Sequence, residues 1–490
     1  MDTEFLVIGT GFGGLGAGLT LAEAGKRVLV CERLNYPGGC AATFRRKGIA
    51  FEAGATLFSG FGENQLFGRW KHKHHLDFEV EWLDPAIRFV SPAGAIAIGL
   101  DKNAVVSQIA ASCPEKEEAL KKFFAAQSQV ADDVWLLMES PDQIPPLKLK
   151  GLLKNAHWAS GRLGLVRYIN KTLLDVLKEF GVADIPLLRE LCDASCQITV
   201  QTSAAQAEAL WALAILDFFF RGTGHVKGGI GVLARSLVKA IEDNGGQVNY
   251  VDEIRSLQPR NGGWKISTRR GEYTAKHVIS NLLPHDTWRL IEPRPAKPSW
   301  IKKKEALIES GWGAIMRYGV LSSHPDMPKE AFHYQLVNDA AAPFQEGNHF
   351  LISVNGPVEN PRLETGQRVF TLSTHVPLNK YWSTPEADRN LYVKSVQDRI
   401  DETLKQRAPA WLQEPEWWMS GSPRTFVKYT GRHRGAVGGI PKTKGLSNYP
   451  LFPEMEIAKN LWGVGDSYFP GQSTYSTALS GVKVAQALLG

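Results

Sequence analysis

The chain has 490 residues, 43% of them hydrophobic and 22% charged, with 56 basic against 50 acidic side chains for a net charge of +6. Length and balance suit a globular protein of about two to four domains and exclude disordered and collagen-like classes. Five scattered cysteines, Cys31, Cys40, Cys113, Cys192 and Cys196, make no disulfide framework, which points to a reducing, cytoplasmic compartment.

The first element is a short apolar run, Phe5-Leu6-Val7-Ile8, patterned as a strand buried on both faces of a parallel sheet. No signal or transit segment is expected ahead of it. Six glycines follow within residues 9–18, and Gly9, Gly11 and Gly14 have the G-x-G-x-x-G spacing. A helix is expected from Leu15, closed by Gly25, and then a second strand, Val28–Cys31, ended by Glu32. This is a βαβ dinucleotide fingerprint. Bare backbone approaches a diphosphate, the helix N-terminus offers N–H groups to it, and Glu32 accepts from ribose hydroxyls. An acid at 32 disfavours a 2′-phosphate and leaves NAD or FAD.

Next along the chain, His72, His74 and His75 alternate with lysines that would repel a metal, so they read as a solvated basic loop. Residues 75–220 look mainly helical. Between Asp142 and Asp175 stand Lys148, Lys150, Lys154, Arg162, Arg167 and Lys171 with no acid among them, interleaved with Leu147, Trp158, Leu163, Val166 and Tyr168. The mixture suits either a peripheral segment on an anionic bilayer or a solvated helix face. Cys192 and Cys196, at i,i+4 spacing, read as buried thiols. The uncharged run 209–216 is too short to span a bilayer, which needs about 20 apolar residues; it lines a cavity or packs in a core. Further on, a helix Ala234–Asp243, a strand Val248–Ile254 and a strand pair Trp264–Thr268 and Tyr273–Ser280 are expected. Arg424, Lys428, Arg432 and Arg434 form a basic run, either solvated or holding a polar group. Asn460–Ser467 reads as a strand entering a glycine turn, and a closing helix starts at Ser476. Neither a nucleic-acid surface nor a metal site is expected.

Seven stretches then carry a resemblance: GTGFGGLGAGLTLAEAGKRVLVCER (9–33), PGGCAATF (37–44), FEAGATLFSG (51–60), GGIGVLARSLVKAI (228–241), VISN (278–281), SPRTFVKYTGRHRGAVGG (422–439) and LWGVGDSYFPGQSTYSTALSGVKVA (461–485). In this order they resemble the FAD-dependent carotenoid isomerases and phytoene-desaturase-like oxidoreductases, with retinol saturases as close relatives. FEAGATLFSG and GDSYFPGQ resemble the prolycopene-isomerase branch in particular. The resemblance implies an α/β fold, a glutathione-reductase-like FAD-binding Rossmann domain with an inserted α+β substrate domain. The first would comprise 1–75, 221–285 and 426–490; the second, facing substrate and membrane, 76–220 and 286–425.

It also implies non-covalent FAD. Gly9, Gly11, Gly13 and Gly14 would hold the pyrophosphate and Glu32 the adenosine ribose. Arg33, Gly38, Gly39, Ala41, Ala42, Gly54, Ala55 and Thr56 would follow the cofactor towards the flavin, with Ile254 at the adenine. Asp466 would bind ribityl or phosphate oxygens, and Gln472 and Ser473 would lie at the flavin pyrimidine edge, where a helix N-terminus favours negative charge. Ser473 stands where family members often carry glycine. Phe58 and Tyr475 are the expected substrate-facing wall. The implied reaction is that of an oxidoreductase or isomerase on an apolar polyene. The alternatives are a flavin oxidoreductase acting on an amine or another secondary metabolite, and a lipid escort that keeps the fold without the chemistry. No Ser-His-Asp set is needed for the flavin routes, and no catalytic residue stands out in the sequence.

Overall fold

Strand Asp2–Ile8 lies at the centre of an eight-stranded sheet, and its burial explains its composition: Phe5, Leu6, Val7 and Ile8 are all buried. It pairs in parallel with Val28–Cys31 on one side and Glu272–Ser280 on the other, and Gln247–Asn249 extends the sheet beyond Val28–Cys31. Leu461–Gly463 joins in parallel beside the end of Glu272–Ser280, while the start of that same strand pairs antiparallel with Gly263–Thr268. The parallel strand ends therefore gather residues from both termini and the middle of the chain. The computed structural model describes residues 2–54, 56–140, 154, 157, 160–357, 359–449 and 455–490.

The helix Phe12–Glu23 packs on this sheet and against the last helix, Thr474–Leu489. Two glycines make that second contact possible. A Cβ on Gly16 would lie 2.3 Å from the carbonyl oxygen of Ala478, and one on Gly481 would lie 2.0 Å from that of Gly13. The glycine cluster thus has two functions: its first part shapes a turn, and Gly16 lets two helix backbones touch.

A second, seven-stranded sheet runs in the order Trp417–Gly421, Trp312–Leu321, Arg368–Pro377, His349–Val354, Phe332–Val337, Ile87–Ser91 and Gly94–Ile98. Every neighbouring pair is antiparallel except Phe332–Val337 with Ile87–Ser91. Val396, Ile400 and Leu404 of the helix Arg389–Arg407 join its core. A helical layer of Glu117–Glu139, Pro186–Thr199 and Ala209–Leu216 closes around Phe123, Leu191, Cys192 and Leu213.

Several local expectations change. The run 248–254 is not one strand: Gln247–Asn249 ends, Val251 takes a left-handed φ of +55°, and Ile254 begins a new strand, Ile254–Arg260. Buried Asp252 stabilises that reversal by accepting from the Arg270 amide at 3.0 Å and the Tyr273 hydroxyl at 3.2 Å. The helix expected at Ala234 starts at Ile230, where the Glu52 carboxylate accepts from the first-turn amide at 2.8 Å. The histidine run belongs to a helix, Leu66–His74, rather than a loop, and the His74 ring is tucked against Glu23. Cys192 and Cys196 are buried free thiols, as expected.

Candidate active site

A cavity of about 660 Å³ runs from the glycine turn to the aromatic layer between the two sheets. That volume falls within the range of small-molecule and cofactor sites. Its first end is built by the chain leaving strand Asp2–Ile8. Gly9 turns with φ +88°, which favours glycine, and Gly9 and Gly11 line the cavity. A Cβ on Gly14 would lie 2.0 Å from the Gly9 carbonyl oxygen, so Gly14 lets the helix start against its own turn. Gly11 caps that helix with no side chain on its amides, leaving the first N–H groups for an anion. A cradle of this kind, uncapped and bare of Cβ atoms, fits a dinucleotide diphosphate.

Glu32 is buried at the end of the second strand and faces the same space. One carboxylate oxygen accepts from the Thr10 amide at 2.8 Å and the Thr10 hydroxyl at 2.6 Å; the other accepts from the Leu34 amide at 2.8 Å. These three bonds fix the carboxylate and leave it lone pairs for a ribose diol. Arg33 lines the cavity and pairs with Glu253 at 3.5 Å, next to Ile254, which lines it too. Gly38 donates its amide to the Thr10 carbonyl at 2.9 Å, and Gly38, Gly39, Ala41, Gly54 and Thr56 continue the wall. Gly13, Gly14 and Ala42 lie behind it, and Ala55 lies outside the described residues.

Asp466 lines the cavity in an ion pair with Arg432, Nη2 to Oδ2 2.9 Å, while Arg432 Nε donates to the Ala436 carbonyl at 2.7 Å. Of the basic run, then, Arg432 belongs to the site. Arg424 and Arg434 reach the carboxylates of Glu386 and Glu309 at the surface. Gln472 faces the cavity but donates Nε2 to the Ile198 carbonyl at 2.7 Å. Ser473 accepts from the Ser476 amide at 3.0 Å and so caps the last helix, in a backbone conformation (φ +109°, ψ 158°) that only glycine adopts readily.

Beyond this loop the wall turns apolar: Trp135 and Met138 from one helix, Trp211, Ala214 and Ile215 from another, and Met316 and Leu351 from the second sheet. Tyr475 lines this half, its ring edge-on to Phe67 at 6.3 Å. Phe58 does not. It is buried in the core, and its carbonyl accepts from the Gly224 amide at 3.0 Å, which turns the neighbours Leu57 and Ser59 to the cavity instead. The apolar run 209–216 lines the cavity with one face and packs in the core with the other.

The residue that motif reading passed over is Asn281, at the end of strand Glu272–Ser280. Its side-chain amide lies across the glycine turn, where a Cβ on Gly11 would come within 2.2 Å of Nδ2 and one on Gly13 within 2.5 Å of Oδ1. VISN had placed it after a strand, but only the parallel pairing of that strand with the first one brings it to the turn.

Two other polar groups are not themselves in the cavity lining, although Arg289 and Asp286 beside the first of them are. His433 bridges Arg289 (Nδ1, 3.0 Å) and Glu309 (Nε2, 2.9 Å), beside His285 and Asp286, so its ring nitrogens are taken up in that network. Of the basic stretch, Arg162 pairs with Asp133, and Arg167 and Lys171 with Glu179, whereas Lys148 and Lys150 lie outside the described residues. Leu163 and Val166 there are 72% and 59% exposed. Among the described residues no helix is long and apolar enough to cross a membrane.

Fold and site define an oxidoreductase of the Rossmann type with a dinucleotide-binding turn, and residues 7–72 match the family described as the NAD(P)-binding Rossmann-like domain. Chloroplastic prolycopene isomerase of Daucus carota is 25% identical over 99% of this chain and 79% of its own. All-trans-retinol 13,14-reductase of Danio rerio is 25% identical over 95% of this chain and 82% of its own. An oxidoreductase from Methanosarcina mazei superposes with a TM-score of 0.63 at 19% identity, over 99% of this chain and 100% of that one. The motif resemblance is borne out as a similarity: over nearly its full length the chain is related, at about 25% identity, to proteins named prolycopene isomerase and retinol reductase.

Proposed function

We propose that this protein binds FAD along the cavity and acts on an apolar conjugated polyene, as a carotenoid cis–trans isomerase or a carotenoid desaturase or saturase. The observation that carries this reading is the continuity of one cavity, from a bare, uncapped helix N-terminus and a fixed acid to an aromatic and aliphatic wall. Bound flavin supplies the electron or hydride exchange that a polyene needs. The chain supplies the rest. Amides at the start of Phe12–Glu23 would hold the diphosphate, Glu32 would hold the ribose, and Asp466, fixed by Arg432, would offer a carboxylate to the cofactor's hydroxyls. Trp135, Met138, Trp211 and Tyr475 exclude water and hold a rod-shaped apolar ligand in line. Peripheral attachment to an anionic bilayer, through Leu163, Val166 and the basic stretch, would deliver such a ligand.

The test is direct. Purified protein should be yellow with the absorbance of oxidised flavin, and a colourless protein that takes up no added FAD refutes the proposal. Given cis-carotenes in liposomes after pre-reduction, an isomerase converts them without net electron transfer, a desaturase or saturase changes the double-bond count, and no change with any polyene overturns the substrate class. Anionic-liposome binding that survives replacing Lys148, Lys150 and Lys154 by glutamate would remove the basic stretch from the attachment.

A further inference from the structure

One half-buried cation in the apolar half of the cavity has no counterpart in the dinucleotide scheme. The backbone of Lys442 is pinned on both sides: its amide donates to the Val200 carbonyl at 3.0 Å and its carbonyl accepts from the Glu208 amide at 3.0 Å. That places it between the end of helix Pro186–Thr199 and the start of Ala209–Leu216, with its side chain in the cavity wall. The ammonium lies 5.1 Å from the Trp211 ring centroid, and its last carbon and nitrogen lie beside Gly471, where a Cβ would meet them at 3.2 and 3.6 Å. Val200, Trp211, Ile215 and Ile440 surround it along the cavity.

Among the described residues no acceptor lies within hydrogen-bond reach of this ammonium and no carboxylate within 4.0 Å. The facing acid is Glu208, backed by Tyr449, and one of its oxygens is held by the Trp211 amide at 3.1 Å. Burial pushes Lys442 down to about 8, with Glu208 acting weakly the other way. A cation placed in an apolar wall without an acceptor is costly unless a ligand supplies one. A face of tryptophan alone offsets only part of that cost.

We infer that Lys442 anchors the carboxylate head of an otherwise apolar, rod-shaped ligand in the substrate half of the cavity. This rests on the polyene reading and narrows it, from bare hydrocarbons to chains ending in an acid. The apolar wall takes the chain, and the ammonium, next to the loop before the last helix, fixes which end enters and how far. Deprotonated Lys442 loses the ion pair, so the preference for an acid head is full below about pH 8 and fades above it. Among the described residues Glu208, whose carboxyl burial pushes upward, is the facing acid whose ionisation would strengthen the ammonium.

The experiment measures binding of three C20 probes, retinoate, retinol and a polyene hydrocarbon, by quenching of tryptophan fluorescence in the cofactor-loaded protein. The wild type should bind retinoate about ten- to a hundredfold more tightly than the other two, as expected for one charge-assisted hydrogen bond. Lys442→Met should bring the three together, and Lys442→Arg should keep the preference. If Lys442→Met fails to fold, the wild-type preference must still decline as pH rises through about 8. Equal affinity for all three probes in the wild type, or a preference untouched by Lys442→Met, overturns the anchor while leaving the polyene site standing. Failure of all three to bind overturns both.

Discussion

Gly16→Ala sets two effects of opposite sign against each other. Intrinsic propensity favours alanine in a helix interior by about 1 kcal/mol. The structure opposes it: the new Cβ would lie 2.3 Å from the Ala478 carbonyl oxygen and 3.0 Å from its carbon, both backbone atoms of the last helix. Ordinary carbon contacts are about 3.5–4.0 Å, so the two helices must part by more than an ångström along a tightly packed contact. Overpacking of this kind costs about 1–3 kcal/mol with side-chain neighbours and more with backbone. We expect a net destabilisation of about 1–2 kcal/mol after the propensity gain. Gly18→Ala, one half-turn on, is the control: its Cβ would meet only the methyl ends of Ile241 at 3.1 Å and Val30 at 3.3 Å, which can give way, so stability should stay within about 0.5 kcal/mol of wild type. Urea unfolding followed by far-UV circular dichroism, with FAD in fixed excess, reads the midpoints directly. Gly16→Ala matching or exceeding wild-type stability would refute the backbone-contact argument.

Three further outcomes follow from the same geometry. Ser473→Gly relieves a glycine-only backbone conformation worth about 1–3 kcal/mol and gives up a cap that glycine replaces at a few tenths, so the urea midpoint should rise; a lower midpoint contradicts the strain. Glu32→Ala removes the acid that holds Thr10 and faces the ribose, and should weaken FAD binding about ten- to a hundredfold by flavin-fluorescence titration; unchanged affinity would separate Glu32 from the cofactor. Acid should destabilise the fold early: burial lowers His285, His333 and His349 to about 3 and His375 to about 4, so unfolding takes up protons there once the pH drops below about 6.5. Glu52, raised to about 7 by burial, works the opposite way down to its ordinary value and cancels about one histidine. Stability should therefore fall by roughly 4 kcal/mol per pH unit below pH 6, and a urea midpoint flat from pH 6.5 to 5 would contradict it.

Much of the site is legible in the chain because its signals are local. Phe5–Ile8, the glycine spacing and Glu32 lie within one βαβ unit, so strand, turn and acid are fixed relative to each other by short connections. The polar loop at Asp466 and the helix after Ser473 are likewise read from consecutive residues. What the sequence alone leaves open is whatever depends on distant pairing. Asn281 reaches the turn only because strand Glu272–Ser280 lies parallel to the first strand. Arg432 could be told from its basic neighbours only once Asp466 stood 2.9 Å away. Phe58 reads as a pocket residue until the bridge to Gly224 sets which way the chain faces. Lys442 carries no motif at all; two backbone hydrogen bonds to separate helices put its charge in the cavity. Local sequence determined the turn and its anion-binding backbone, since both follow from dihedral freedom and uncapped amides over a few residues. Tertiary packing alone decided which side chains share that space, because burial and register are properties of segments brought together from hundreds of residues apart.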